Sequence, residues 1–254
     1  MQNTIKDIKT MSWRCMLNAI KTPDSLIMSL VVPVILLLVF VNVFGGSMDI
    51  GGYNFVNFII PGIMVNCLIQ SSSSTGIGVN KDMTTGIVTR FRSMDISNVA
   101  FLAGHVLVAF IKGMATVAIL IGVSFLVGFR PLADLPQWLF IIGLIMLFVM
   151  ANTWLAVMLG VMMKSAESVG GFIAFYAVLV FLSPGMAPTE NMPRALQIFA
   201  ENQPMAPFIT SIRSLVNGHA PQGDQVLATL LWWGGILILT FIATVYAYKK
   251  KLTV

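Results

Sequence analysis

Long apolar stretches alternate with short polar segments along the chain. A helix needs about 20 mostly apolar residues to cross a bilayer, and six stretches meet that requirement. They lie at residues 25–44, 55–78, 100–127, 137–162, 168–187 and 226–247. Because lipid offers no partners for exposed backbone groups, a spanning stretch of this kind is expected to be a helix. The pattern predicts an all-α integral membrane protein whose residues 1–254 form one six-helix transmembrane domain.

The composition is that of a protein whose main solvent is lipid. Hydrophobic residues make up 57% of the chain and charged residues only 10%, against roughly 25% charged in an average soluble domain. A soluble protein of this length could not hide so much apolar surface in one core. The net charge of +5 comes from basic residues at the ends of the apolar stretches, a placement that indicates topology and lipid contact. We therefore expect membrane lipids, and no nucleic acid, among the partners.

The positions of Lys and Arg predict the orientation. Eleven of the 15 fall in the N-terminal segment, after the second and fourth stretches, or at the C-terminus. Arg130, Arg194 and Arg213 fall on the opposite side, and Lys112 lies inside the third stretch. Basic residues are enriched on the cytoplasmic side of membrane proteins. Both termini are thus expected in the cytoplasm, in a multi-pass protein of the cell membrane, which in a bacterium is the inner membrane.

Residues 1–23 carry an apolar stripe at helical spacing. Its members recur at steps of three and four: Ile5, Ile8, Met11, Cys15 and Ala19. Lys6, Arg14 and Lys21 fall off the stripe. The pattern predicts an N-terminal amphipathic helix in the inner headgroup plane. It would serve either as a surface anchor or as a lever that contacts a cytoplasmic partner.

The cytoplasmic loop at residues 79–98 mixes charged and apolar side chains. Its apolar members are Ile87, Val88, Phe91, Met94 and Ile96. A simple connection between two helices needs only a few residues. The loop would therefore either seat a short helix in a groove of another protein or merely fix the topology with its positive charge.

The external segment at residues 183–224 contains six of the chain's eleven prolines. Between them, residues 194–202 and 208–217 have helical patterns that are too short to span a bilayer. Broken backbone is tolerated at membrane depth only where protein or water covers it. We expect either re-entrant or interfacial helices, or a folded external cap.

Lys112 lies near the middle of the third stretch, with His105 closer to the cytoplasm. A cation at this depth costs several kcal/mol, so it should face protein or a wet cavity. It would contact an anionic substrate group, form a gating ion pair, or bond to neighbouring polar groups. Asn66, Gln70 and Asn152 also lie within apolar stretches. With Lys112 they are our candidates for a translocation path.

Two segments resemble the type-2 ABC exporter permeases. Residues 86–97 read GIVTRFRSMDIS and are similar to that family's G-x-x-x-R-x-R-S-x-P-I-S stretch, with Asp95 where proline is usual. Residues 199–207 read FAENQPMAP and resemble the segment before the last span in the daunorubicin-resistance and nodulation exporter branch. With the six predicted spans, the resemblance extends over essentially the whole chain.

The resemblance implies a half-transporter. Such a permease pairs with a second copy or a paralogue, and with two copies of a separate ABC ATPase subunit that binds ATP and Mg²⁺. The loop at 79–98 would hold the helix that couples to the ATPase, beside the N-terminal helix. The implied coupling residues are Gly86, Arg90, Phe91, Arg92 and Asp95. The implied re-entrant segment includes Glu201, Asn202, Pro204 and Pro207.

The sequence has no phosphate-binding G-x-x-x-x-G-K-[ST] motif and no nucleotide-binding domain. We therefore expect no cofactor on this chain, and energy from a partner or an ion gradient. Ser71–Ser74 and His105 do not form a plausible nucleophile set. His105 and His219 fall on opposite sides of the predicted membrane, which argues against a shared metal.

The favoured function is the non-catalytic permease of an ATP-driven exporter. It would move an amphipathic drug, antibiotic, lipid or glycan out of the cell. The alternative is an ion-coupled secondary transporter, for which acidic residues within the spans and paired broken helices are typical.

Overall fold

The computed structural model describes residues 2–21, 23–45, 54–88 and 98–253. The protein is all-helical, with 86% helix and no strand among the described residues. This confirms the predicted all-α class. The helices are α1 Gln2–Lys21, α2 Pro23–Val39, α3 Phe55–Thr84, α4 Asn98–Leu126, α5 Leu135–Met162, α6 Ala166–Val178, α7 Arg194–Asn202, α8 Met205–Val216 and α9 Gly223–Thr253.

Among the described residues, four helices are long and apolar enough to cross a membrane. These spans are Phe55–Thr84, Ala100–Leu126, Leu135–Met162 and Gly223–Lys251. The apolar stretches predicted at 25–44 and 168–187 correspond to shorter apolar helices, Leu30–Val43 and Ala166–Leu182. The protein is therefore a multi-pass membrane protein, and the count of six spans stays a prediction.

The helix that begins at Ala166 is short for a reason visible in the sequence. Its last turn, Leu179–Leu182, tightens to a 3₁₀-helix, and Pro184 follows Ser183. A residue before proline is pushed away from helical backbone angles, and Ser183 has the extended ψ of 162°. The 17 residues from Ala166 to Leu182 span about 25 Å, somewhat less than a hydrocarbon core of about 30 Å.

Helix α3 is the centre of the bundle. Its most apolar window is 94% buried, and it packs against α2, α4, α5, α6 and α8. Small residues allow the closest of these contacts. A Cβ atom on Gly76 would lie 2.7 Å from the Ala156 carbonyl oxygen, and one on Gly160 would lie 2.4 Å from the Gly76 carbonyl oxygen. The α3 and α5 backbones therefore pass at a distance that larger side chains would prevent.

Helix α1 packs along α4 instead of standing apart. Met11 and Cys15 are buried, and a Cβ atom on Gly104 would lie 2.8 Å from the Met11 Cβ atom. Part of the predicted apolar stripe thus faces protein. Ile5, from the same stripe, is 72% exposed, as is Trp13 at 64%, because α1 carries a second apolar face away from α4.

At the N-terminal end of α3, the buried helix α8 closes the bundle. The Arg213 guanidinium donates to the carbonyl oxygens of Phe58 and Pro184, and its central carbon lies 3.8 Å from the centre of the Phe58 ring. The Asn57 amide exchanges hydrogen bonds with the backbone of Arg130, at 2.8 and 3.0 Å. This end is tightly packed and its polar groups are largely satisfied by backbone.

Candidate ligand cavity and ion cluster

A cavity of about 550 Å³ lies between α1, α2, α3 and α4. The α3 wall presents Gln70, Ser73, Ser74, Ile77, Gly78 and Lys81. These residues recur at steps of three and four, so they share one face of the helix. The wall is polar in its deep part, at Gln70, Ser73 and Ser74, and basic at Lys81.

The α4 wall presents His105, Val108 and Lys112 to the same cavity. The Lys112 ammonium donates a hydrogen bond to the Ser74 hydroxyl. Of the path candidates, Gln70 and Lys112 therefore lie together on the cavity. The described partner of Lys112 is thus the Ser74 hydroxyl, which is neutral and was not predicted to pair with Lys112.

The other two path candidates lie between helices. Asn152 of α5 donates to the Ser72 hydroxyl at 2.7 Å and to the Leu68 carbonyl at 3.2 Å. Asn66 donates to the Ala177 carbonyl at 3.4 Å. Both side chains are buried and neither lines the cavity. Their described contacts join α3 to α5 and to α6, and their role in a translocation path stays a prediction.

An ion cluster closes the α1 end of the cavity. The Arg14 guanidinium holds both carboxylate oxygens of Asp82, each at 2.9 Å. The His105 Nε2 atom lies 3.1 Å from one of the same oxygens. The bidentate hydrogen bond to Asp82 raises the pKa of Arg14 above its ordinary value. The cluster ties α1 to the ends of α3 and α4.

The cluster includes Asp82, which lies near the start of the predicted coupling loop at 79–98. Helix α3 ends at Thr84, and Gly86 follows with φ of 73°. This left-handed conformation suits glycine and is common just after a helix. Gly86 therefore ends α3 and redirects the chain. Of the other predicted coupling residues, Arg90, Phe91, Arg92 and Asp95 lie outside the described residues.

The sequence reasoning missed the pairing of Arg14 with Asp82. The two residues are 68 positions apart, and in the sequence each resembles an ordinary solvated charge in a cytoplasmic segment. A usable signal was present, because Asp82 is the one acidic residue between Asp49 and Asp95. A carboxylate at the end of a long apolar helix needs a cationic partner. His105, one turn inside the next apolar stretch, was the first candidate to test.

The predicted re-entrant residues lie at the opposite end of the molecule from the ion cluster. Glu201 accepts hydrogen bonds from Thr189 and Gln197, each at 3.0 Å. Asn202 donates back to its own helix α7 at the Ile198 carbonyl, at 2.8 Å.

The two prolines of this segment mark the start of α8. Pro204 precedes the helix, and its carbonyl accepts from the Trp233 indole at 3.0 Å. Pro207 is buried in the first turn, where a missing backbone donor costs little. These contacts fix α8 against α9, and the depth of the segment in the membrane stays a prediction.

The described residues do not gather three or more His, Cys, Asp or Glu side chains in a way that could hold a metal ion. Cys15 and Cys67 are buried and are not joined in a disulfide. What the cavity does offer is a cation, hydroxyl groups and an amide beside apolar walls. Such a site can bind and orient a ligand.

Comparison with known proteins decides the family. The ABC-2 type transporter family matches residues 6–216, a range that includes the cavity, the ion cluster and α8. The chain belongs to this family. The match confirms what the two motifs suggested.

Individual relatives of this ABC-2 type transporter are permeases. The chain is 29% identical over 244 residues to the daunorubicin resistance ABC transporter permease protein DrrB1 of Streptomyces coeruleorubidus. This match covers 94% of the chain and 84% of the relative. The chain is 22% identical over 225 residues to a probable doxorubicin resistance ABC transporter permease protein, DrrC, of Mycobacterium tuberculosis, covering 86% of this chain and 80% of the relative. The similarity to resistance permeases thus extends over nearly the whole chain.

Proposed function

We propose that the protein is the permease subunit of an ATP-driven exporter that moves an amphipathic substrate out of the cell. The observation that carries the proposal is the family match over residues 6–216. The drug-resistance names of two relatives favour export and a drug-like or antibiotic cargo, with lipids and glycans as further classes. The membrane is the cell membrane, with both termini in the cytoplasm.

The energy comes from two copies of a separate ABC ATPase that hold ATP and Mg²⁺. This chain binds no cofactor and catalyses no reaction itself. It pairs with a second permease copy or with a paralogue. Large apolar side chains on the outer face of α9, such as Leu231, Leu239 and Ile242, are exposed, and lipid or the second permease covers them.

The loop at 79–98 seats in the ATPase, with Gly86, Arg90, Phe91, Arg92 and Asp95 as its coupling residues. The ion cluster supports this assignment. Asp82 lies two residues before the end of α3 and is bound to both Arg14 and His105. A movement of the loop would therefore reach α1, α3 and α4 together, and with them the walls of the cavity.

The test is to co-express the chain with its partner ABC ATPase and to measure ATP hydrolysis and transport in lipid nanodiscs and proteoliposomes. We expect a stable complex whose hydrolysis responds to a transported amphiphile. Alanine at Arg90, Phe91 and Arg92 together should abolish the response while membrane insertion stays normal. Normal export by that variant would refute the coupling assignment.

A second arm separates the proposal from ion-coupled transport. Proteoliposomes that contain the chain without an ATPase are given a proton or sodium gradient. Uptake driven by the gradient alone, with no dependence on ATP when the ATPase is present, would replace the exporter with a secondary transporter.

A further inference from the structure

Lys112 is a partly buried cation whose described partner does not neutralise it. Its ammonium donates to the Ser74 hydroxyl. The acidic side chain on the same cavity is Asp82, and Arg14 and His105 already hold both of its oxygens. Cations inside membrane spans are costly and are usually paired. The positive charge at Lys112 thus faces the cavity without a matching carboxylate among its described contacts.

The whole cavity is electropositive. Lys81 and Lys112 face it from α3 and α4, and Asp82 is the acidic residue among its lining. The Asp82 charge is offset by the bidentate pair with Arg14. Lys81 lies beside Asp82 of the ion cluster, and Lys112 lies about 10 Å farther along α4 than His105, so an anionic group would be attracted at both positions. A cationic ligand would be repelled at both positions.

The deep part of the cavity has the donors that an oxyanion needs. Gln70, Ser73 and Ser74 lie within about one turn of α3, opposite Lys112. The Lys112 ammonium, the Ser73 hydroxyl and the Gln70 amide can each donate to a phosphate or carboxylate oxygen. The Ser74 hydroxyl donates to the Ser71 carbonyl at 3.1 Å and accepts from Lys112, so it holds the ammonium in place. The remaining lining includes apolar Val32, Val108 and Ile77, which suit hydrocarbon and not a free ion.

We propose that this cavity binds an amphiphile with an anionic head, held by Lys112 with Ser73 and Gln70, and with its apolar part along α2 and α4. Its volume of about 550 Å³ is that of a site for a drug-sized molecule. A membrane phospholipid and a soluble amphiphilic cargo share this chemistry. Naming the ligand as cargo rests on the proposed transport function, whereas binding itself does not.

The test uses the full chain without an ATPase, in phosphatidylcholine nanodiscs. Two photoreactive probes share the same 16-carbon chain and diazirine, one ending in phosphate and the other in trimethylammonium. After irradiation, peptide mapping measures labelling of α3 residues 70–81 and α4 residues 105–112. We expect the phosphate probe to label these segments and the ammonium probe to label them about tenfold less, as expected for loss of one charged hydrogen bond.

Variants at the cation sharpen the test. Lys112→Gln should lower phosphate-probe labelling about tenfold, and Lys112→Arg should restore most of it. Lys164→Gln is the matched control, because Lys164 is exposed in the turn between α5 and α6 and does not line the cavity. If Lys112→Gln fails to give a monodisperse protein, Ser74→Ala and Gln70→Leu are tested in its place, with the same expected direction.

Competition experiments distinguish a membrane phospholipid from a separate amphiphile as the ligand of the cavity. Replacing part of the phosphatidylcholine with phosphatidylglycerol should reduce cavity labelling if the occupant is a membrane lipid, and leave it unchanged if the site prefers a separate amphiphile. Complete displacement by inorganic phosphate would overturn the proposal, because the apolar part would then contribute nothing. Equal labelling by both probes, or labelling that ignores Lys112, would also overturn it. The exporter function would survive either result, since its own test depends on the ATPase complex.

Discussion

The bundle holds two partly buried cations in opposite surroundings, Arg213 near one end of α3 and Lys112 near the middle of α4. Arg213 is enclosed between α3 and α8, where two carbonyl oxygens and the Phe58 ring receive its guanidinium. Lys112 lies on a cavity and has one neutral hydroxyl as its described partner. A cation that the fold has fully surrounded is part of the structure. A cation left facing open space is available to a ligand, and the four predictions below test this contrast.

Arg213→Ala should have the largest effect on stability. It leaves the carbonyls of Phe58 and Pro184 without their donor and opens a void between α3 and α8. We expect a loss of about 3 kcal/mol in the free energy of unfolding, measured by tryptophan-fluorescence thermal unfolding in detergent. Arg194→Ala is the control, because Arg194 is exposed on α7. Equal melting temperatures for the two variants would contradict a structural role for Arg213.

Gly62→Ala should be the next most damaging change. A Cβ atom there would lie 2.4 Å from the Gly185 carbonyl oxygen and 2.8 Å from its Cα atom, so the backbone must shift. Overpacking of this kind costs about 1–3 kcal/mol. In Gly78→Ala the new methyl group would lie 4.0 Å from the His105 ring, inside the cavity wall. That variant should fold normally, and comparable losses in both would show that the two ends are packed alike.

Asp82→Asn should have a modest effect on stability and a clear effect on coupling. The variant loses the ion pair to Arg14, whose side chain is 27% exposed, so we expect a cost on the order of 1 kcal/mol. In the complex with the ATPase, hydrolysis should no longer respond to the transported amphiphile. Asp224→Asn, at an exposed position at the start of α9, should keep the response. A fully coupled Asp82→Asn transporter would remove the ion cluster from the mechanism.

Lys112→Gln should have the smallest effect on stability. The replacement removes a costly buried charge and leaves an amide that can still reach polar neighbours. We expect an unchanged or slightly higher melting temperature, in contrast to Arg213→Ala. A large loss of stability would mean that Lys112 supports the fold, and the ligand site would then need another anchor.

The sequence predicted the helical fold and part of the cavity for one physical reason. The bilayer core excludes water, so it favours long apolar stretches and makes isolated charges costly, and both features can be read from the order of residues alone. The first pointed to the spans and the second to Lys112. Gln70 was found in the same way, as a polar residue inside an apolar stretch, and it does line the cavity.

The same reasoning could not assign polar residues to a face. Asn66 and Asn152 look like Gln70 in the sequence, yet their described contacts are between helices. Helix α3 carries polar residues on several sides and is buried on most of them, so its pattern does not reveal which side meets the cavity. The Arg14–Asp82 pair depends on contact between distant segments, and hydropathy carries no information about such contacts.

The part of α3 from Gly62 to Thr84 would tilt as a stiff rod around a pivot at Gly62. Pro61 and the close contact between Gly62 and Gly185 anchor its upper part, and no proline follows before Thr84. The 20 residues from Gly62 to Asp82 measure about 30 Å. A tilt of about 5° around the pivot would therefore carry Asp82 by about 3 Å, enough to break its bond to Arg14. Near the pivot the same tilt would shift atoms by a few tenths of an ångström at most, so the leverage is concentrated where the chain leaves the membrane.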